Sequence, residues 1–277
     1  MNHNLPQLLT IELLRDWVVL LCAIGLEIIA NVAGKSISKF SKLLIMKTIS
    51  LFTRLVLCLS VVLTAGSLSA AEFESIFDGK SLKGWKALEM SYWSVRDGAI
   101  TGQSTPENPC TANQFMVWQG GDVADFELKL KFRVEGNGGN SGVQFRSVLK
   151  PNGLAVGYQA DIYQSGPYLG GVCDEMHNRK GHELLTANGT KTVIDAAGKR
   201  TVTNLDAKAT MKPQGEWNDY HITAKGQHII LRINGVKCSE LIDQEKGHFD
   251  LKGFLGLQLR AGKPMTVQFK DIYLKQL

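Results

Sequence analysis

The chain has 277 residues, 44% of them hydrophobic and 21% charged, and a formal net charge of +5. Part of that surplus falls in the first 71 residues, no basic run interleaves with aromatics and no helix-turn-helix pattern appears, so the charge does not argue for a nucleic-acid partner. Glycine (28) far outnumbers proline (7), and hydrophobic runs are short with no long amphipathic repeat, which argues against a helical bundle.

Met46-Lys47-Thr48 opens a run that carries Arg54, an apolar core from Leu55 to Leu63, and the small residues Ala65 to Ala71. A basic start, a short apolar segment and a small-residue end read as a secretory signal peptide over residues 46–71, cleaved near Ala71. The expectation is export to the periplasm or beyond. Residues 1–45 precede this signal. Trp17 to Ala33 is apolar but carries Glu27, and its length is marginal for a membrane helix. The preferred explanation is a start codon assigned too far upstream, and the rival is an additional membrane anchor. Residues 72–277 then form a single domain with no membrane contact expected.

Cys22 and Cys58 lie in the leader, leaving Cys110, Cys173 and Cys238. In an exported chain three cysteines allow at most one bridge and leave at least one thiol free. No CxxC or Cys/His cluster suggests zinc.

Short strands follow in order. Phe73 to Lys80, Leu82 to Trp85 and Trp93 to Val95 lead through the Asp97-Gly98 turn to Ala99-Ile100. Phe115 to Trp118 comes next. Phe126 to Val134 alternates apolar with charged residues. Gly136 to Gly139 is a glycine-rich connection without the helix or Gly-Lys-Ser/Thr of a phosphate loop. Residues 164–210 are the loosest stretch, a long insertion that is functional or mobile. Trp217 to Thr223 and Ile229 to Ile233 precede the Asn234-Gly235 turn, a hairpin signal. Phe254 to Arg260 and Met265 to Leu274 close the chain. Strands at this spacing predict an all-β, two-sheet antiparallel sandwich or jelly roll. Trp85, Trp93 and Trp217 are expected in its core.

Three strands share one design. Val143 and Phe145 face one way, Gln144 and Arg146 the other. Tyr158, Ala160 and Ile162 oppose Gln159, Asp161 and Tyr163. Leu255, Leu257 and Leu259 oppose Gln258 and Arg260. As neighbours they would form a polar platform suited to a sugar. The competing reading is the solvated face of an ordinary antiparallel sheet.

The motifs Phe77-Asp78-Gly79-Lys80-Ser81-Leu82-Lys83-Gly84-Trp85, Asn140-Ser141-Gly142-Val143-Gln144-Phe145-Arg146, Gly157-Tyr158-Gln159, Gly215-Glu216-Trp217-Asn218 and Val267-Gln268-Phe269-Lys270-Asp271-Ile272 resemble, in order, the 3-keto-disaccharide hydrolase family. The resemblance runs over roughly residues 73–277. It implies a concanavalin A-like lectin/glucanase sandwich and cleavage of 3-keto-glycosides. A C3 ketone acidifies the C2 proton, a base removes it, and the C1 substituent departs. Gln159-Ala160-Asp161-Ile162 and Gly170-Gly171-Val172-Cys173-Asp174-Glu175 match segments of one apparent subgroup, with Cys173 in place of an aromatic. Arg260 stands where the family often has histidine, and arginine cannot serve as a base.

Asp161, Glu175 and Asp174 are therefore the catalytic candidates, and Gln144, Arg146, Gln159, Gln258, Arg260, Tyr163 and His177 the substrate-binding ones. Asp161 is the first choice for a site acid or metal ligand, because a mid-strand carboxylate is disfavoured unless paired or useful. Its competing role is an ion pair with Arg146 across strands. Asp174 and Glu175 are placed in a loop where they could straddle a substrate or equally form a solvated turn. His177 and His182 read more readily as surface residues than as acids or bases. Loop oxygens would suit calcium as a divalent metal, without an EF-hand pattern to support it. A retaining glycosidase lacks its Glu-x-Asp-x-x-Glu strand here. The alternative from a different class is a sugar-binding, lectin-like module without turnover.

Overall fold

The structure, a computed structural model, describes residues 72–175, 179 and 181–277. The proposed signal peptide, the upstream extension and His177 lie outside the described residues. The described residues form seventeen strands and two short 3-10 turns. In chain order the strands are β1 (Glu74–Ser75), β2 (Trp85–Lys86), β3 (Trp93–Arg96), β4 (Ala99–Ser104), β5 (Gln114–Trp118) and β6 (Phe126–Gly136). Next come β7 (Ser141–Leu149), β8 (Ala155–Ile162), β9 (Val172–Glu175), β10 (Glu183–Thr186), β11 (Thr190–Ile194) and β12 (Arg200–Asn204). The last are β13 (Asn218–Lys225), β14 (His228–Ile233), β15 (Val236–Asp243), β16 (Phe254–Leu259) and β17 (Met265–Gln276).

They pair into two sheets. The larger runs β12-β11-β15-β14-β13-β6-β17-β4-β3 with β1 added on β17, and the smaller runs β10-β9-β8-β7-β16-β5-β2. All pairings are antiparallel except β11 with β15. The expected all-β sandwich is therefore present, and both hairpin signals form turns. Asp97 and Gly98 have φ of 53° and 70°, Asn234 and Gly235 of 51° and 81°, the left-handed pair that two-residue hairpins need.

Strand alternation builds the core directly. Phe126, Leu128, Leu130, Phe132 and Val134 of β6 point inward, toward Val143 and Phe145 of β7, Tyr158, Ala160 and Ile162 of β8, and Leu255, Leu257 and Leu259 of β16, all buried in one cluster. Each such side chain contributes about 1.5–3 kcal/mol by leaving water. Trp85 and Trp93 are buried as expected, and Trp85 Nε1 donates to the Ile76 carbonyl at 2.8 Å. Trp217 departs from expectation. It lies half-buried outside the core, with Lys270 Nζ 4.2 Å and the Arg133 guanidinium 4.7 Å from its ring. It sits just ahead of β13, beyond the alternation that would turn it inward.

Residues 164–210 are not a long irregular insertion. They contain β9, β10, β11 and β12, strands of four or five residues whose alternation is too brief to read in sequence. Cys110, Cys173 and Cys238 are all free thiols and buried. No helix among the described residues is long and apolar enough to cross a membrane.

Candidate functional site

Register fixes which side chains meet on the outer face of the smaller sheet. Gln144 of β7 stands opposite Gln159 of β8, which stands opposite Cys173 of β9. On the other side of Gln144 lies Gly256 of β16. The next row of that face holds Asp161 opposite Gly142, with Gln258 on β16. Gly142 matters for its missing side chain, since a Cβ there would stand 2.5 Å from Gln159 Cδ. Its absence lets Gln159 lie across β7.

Gln159 joins two carboxylates. Its Nε2 donates to Asp161 Oδ1 at 2.8 Å and to Glu175 Oε1 at 3.4 Å. Glu175 Oε1 also meets His182 Nδ1 at 2.9 Å. The His182 ring stacks on Tyr168, centroids 6.0 Å apart, and Tyr168 contacts Tyr163 at 6.1 Å. Asp161 and Glu175 are buried, while His182 and Tyr168 form the exposed end of the cluster. Three polar side chains are held here without full satisfaction. Gln144 Oε1, Gln159 Oε1 and both amide atoms of Gln258 are buried and lack a hydrogen-bond partner. Such groups cost free energy unless something binds them.

Asp161 is surrounded by neutral donors. The Cys173 thiol donates to Oδ2 at 3.1 Å and Gln159 to Oδ1. Burial pushes its pKa up to about 7, the two hydrogen bonds working against that rise and the nearby Glu175 adding to it. His182 is raised above the usual histidine range by its hydrogen bond to Glu175, with burial and the Arg260 charge opposing. The result is a carboxyl raised to about 7 beside an imidazole raised above its usual range.

Two candidates leave the site. Arg146 was expected beside Gln144 on the outer face and as the ion partner of Asp161. Instead it has φ 47° at a register shift of β7, so the side chain leaves the alternation. Its guanidinium is buried against the carbonyls of Ala124 and Gly226 and pairs with Asp125 at 3.0 Å. Asp174 was expected in a loop with Glu175. Both lie on β9, so they point to opposite faces. Asp174 accepts from Arg179 Nη1 at 2.6 Å, and Arg179 also binds Asp243 and Glu245 at 2.8 Å each. Tyr158 is an inner-face side chain whose hydroxyl donates to Asp243 Oδ2 at 2.6 Å. This buried clamp ties Arg179 to the end of β9 and to the end of β15.

Gln144, Gln159, Glu175, Asp161 and Gln258 are brought onto one face. Tyr163 joins through the Tyr168 contact and Arg260 through its charge on His182. Sequence reasoning undervalued His182, which no local pattern marks, and Cys173, whose alternation with Glu175 on β9 could have flagged it. Among the described residues no group of three or more His, Cys, Asp or Glu side chains is placed to hold a metal ion, and both Asp161 oxygens are engaged by Gln159 and Cys173.

Among solved structures, the chain is similar to a candidate glycosyl hydrolase from Parabacteroides distasonis ATCC 8503, at 18% identity and TM-score 0.50, covering 74% of this chain and 94% of that one. A second from the same organism has 20% identity and TM-score 0.49, covering 74% and 100%. The carbohydrate-binding module CBM66 of Bacillus subtilis has 14% identity and TM-score 0.48, covering 70% and 96%. A search of curated proteins finds no match. The family model for the 3-keto-alpha-glucoside-1,2-lyase-like domain matches residues 72–275. The resemblance in the motifs thus holds across the whole described sandwich, and the chain belongs to the 3-keto-alpha-glucoside-1,2-lyase-like domain family.

Proposed function

We propose that the protein cleaves 3-keto-glycosides by acid–base elimination on the outer face of the smaller sheet, followed by addition of water. The observation that carries this reading is Asp161, a buried carboxyl poised near pH 7 and joined through Gln159 to the Glu175–His182 pair. Ionised Asp161 takes the C2 proton that the C3 ketone has acidified. The electron pair moves into the C3 oxygen, for which Gln258 Nε2 and Arg260 are the donors. Its return breaks the C1–O bond, and protonated His182 gives its proton to the departing oxygen. Water then adds, with hydroxyl to C1, the Asp161 proton to C2, and the remaining proton to His182. If the protein stops before this step it acts as a lyase. The acceptor oxygens of Gln144, Gln159 and Gln258 suit sugar hydroxyls. Export of the mature domain from a signal peptide at residues 46–71 belongs to the same proposal.

The pH dependence follows from the two shifts. A base with its pKa raised to about 7 is inactive below that value. An imidazole held above its usual range stays protonated to higher pH before activity falls. The expected kcat/KM profile is a bell with its acid limb near 7. Release of aglycone from a 3-keto-glycoside such as 3-keto-trehalose, and not from the unoxidised parent, is the expected assay result. Cleavage of both would overturn the ketone requirement. Sugar binding without release from either would assign the face to a lectin-like module.

A further inference from the structure

We propose that Cys173 is a positioning residue that sets when Asp161 can act as a base, by holding Oδ2 with a thiol proton. The inference rests on the reading of Asp161 as the base and adds the residue that governs it. Asp161 is buried and sits opposite Gly142, so β7 offers it no side-chain donor. Its side chain is held from two directions, by Gln159 Nε2 on Oδ1 at 2.8 Å and by Cys173 Sγ on Oδ2 at 3.1 Å. Below it, the Tyr220 hydroxyl of the other sheet donates to the Asp161 backbone carbonyl at 3.0 Å and not to the carboxyl. Among the described residues, the titratable groups that act on the carboxyl are Cys173 and Glu175 of β9, His182 just before β10 and Tyr220 of β13. No cation is in hydrogen-bond contact with the carboxyl among the described residues.

The choice of a thiol therefore has consequences. Sulfur is a weak hydrogen-bond donor, so it orients the carboxylate while stabilising its charge less than a hydroxyl would. The Cys173 thiol is itself pushed well above its usual range, first by burial and then by Asp161. It remains a protonated donor rather than becoming a competing nucleophile or anion. Cys173 is fully buried, which keeps water from replacing it as the donor on Oδ2. A base must be ionised yet retain proton affinity, and a weak neutral donor in a dry site meets both needs.

The test uses infrared difference spectroscopy to titrate the Asp161 carboxyl and the S–H stretch together in the wild-type protein, Cys173→Ser and Cys173→Ala. Asp161→Asn identifies the carboxyl band. The S–H band should shift as Asp161 ionises in the wild type, a result that needs no folded variant. The midpoint should fall by about one pH unit in Cys173→Ser, whose hydroxyl is the stronger donor, and rise by a similar amount in Cys173→Ala. The acid limb of kcat/KM should move with it. An S–H band indifferent to Asp161, or the same midpoint in all three proteins, would overturn the proposal. If the midpoints move but no 3-keto-glycoside is cleaved, the thiol–carboxyl coupling stands and the cleavage reading fails.

Discussion

The two outer faces of the sandwich handle polar groups in opposite ways. On the larger sheet the charged side chains are matched. Lys131 lies 3.7 Å from Asp219, Glu127 meets His221 and Lys275, and Glu240 is shared by Lys191, Lys237 and His228. Trp217 is enclosed by Arg133 and Lys270. A depression lined by Lys129, Lys131, Asp219, His221 and Arg232 lies on this sheet, and Lys131 and Asp219 answer one another across it. On the smaller sheet the amides of Gln144, Gln159 and Gln258 stand beside Asp161 and Glu175, and four of their amide atoms are buried without partners. A hollow by itself would therefore point to the larger sheet. Unmet hydrogen-bonding capacity next to a perturbed carboxyl points to the other.

Asp161→Asn should break this contrast most severely. Losing a general base costs about 10²–10⁴-fold in kcat. The same change should stabilise the fold. A carboxyl whose folded pKa is raised favours folding while protonated, and that contribution is lost as pH rises from the unfolded value toward the folded value of about 7. Asparagine avoids the loss, so denaturant unfolding at pH 8 should show a gain of roughly 1–3 kcal/mol that disappears below pH 4. Equal stability of both proteins at pH 8 would contradict the assigned burial.

Gln258→Leu should follow. It removes two unpartnered amide atoms, so stability should hold or rise by about 1 kcal/mol while kcat/KM falls about 10- to 100-fold. A loss of stability with unchanged activity would make Gln258 structural. Glu240→Gln, on the larger sheet, should have the smallest effect. Despite its burial, its lysine partners hold this carboxyl down to about 2. Its contribution is present above the unfolded value near 4.5 and lost as pH falls through 2. Thermal unfolding at pH 7 should show a cost of about 1 kcal/mol, with activity untouched.

Much of the platform was legible because a strand has period two. Gln144, Gln159, Asp161 and Gln258 face outward as their spacing requires, with Val143, Ala160 and Leu257 behind them. Arg146 was not legible, since one residue at positive φ reverses its direction and the sequence carries no glycine to announce the bulge. Asp174 and Glu175 were misplaced because a four-residue strand looks like a loop, and that error merged two carboxylates with opposite fates. Near His182 in the chain, Arg179 binds Asp174, Asp243 and Glu245. Asp243 and Glu245 lie more than sixty residues further along the chain, so no local pattern could reveal these Arg179 contacts.

The central claim is that Asp161 removes the proton at C2 of a 3-keto sugar. Exchange of that proton for deuterium, followed by NMR in deuterated water with a non-cleavable 3-keto-glycoside analogue, tests it without depending on the leaving group. The account predicts rapid exchange at C2 with the wild-type protein, near-background exchange with Asp161→Asn, and none above background for the unoxidised sugar. Exchange that survives Asp161→Asn undiminished would contradict it and place the base elsewhere, with Glu175 the nearest remaining carboxylate.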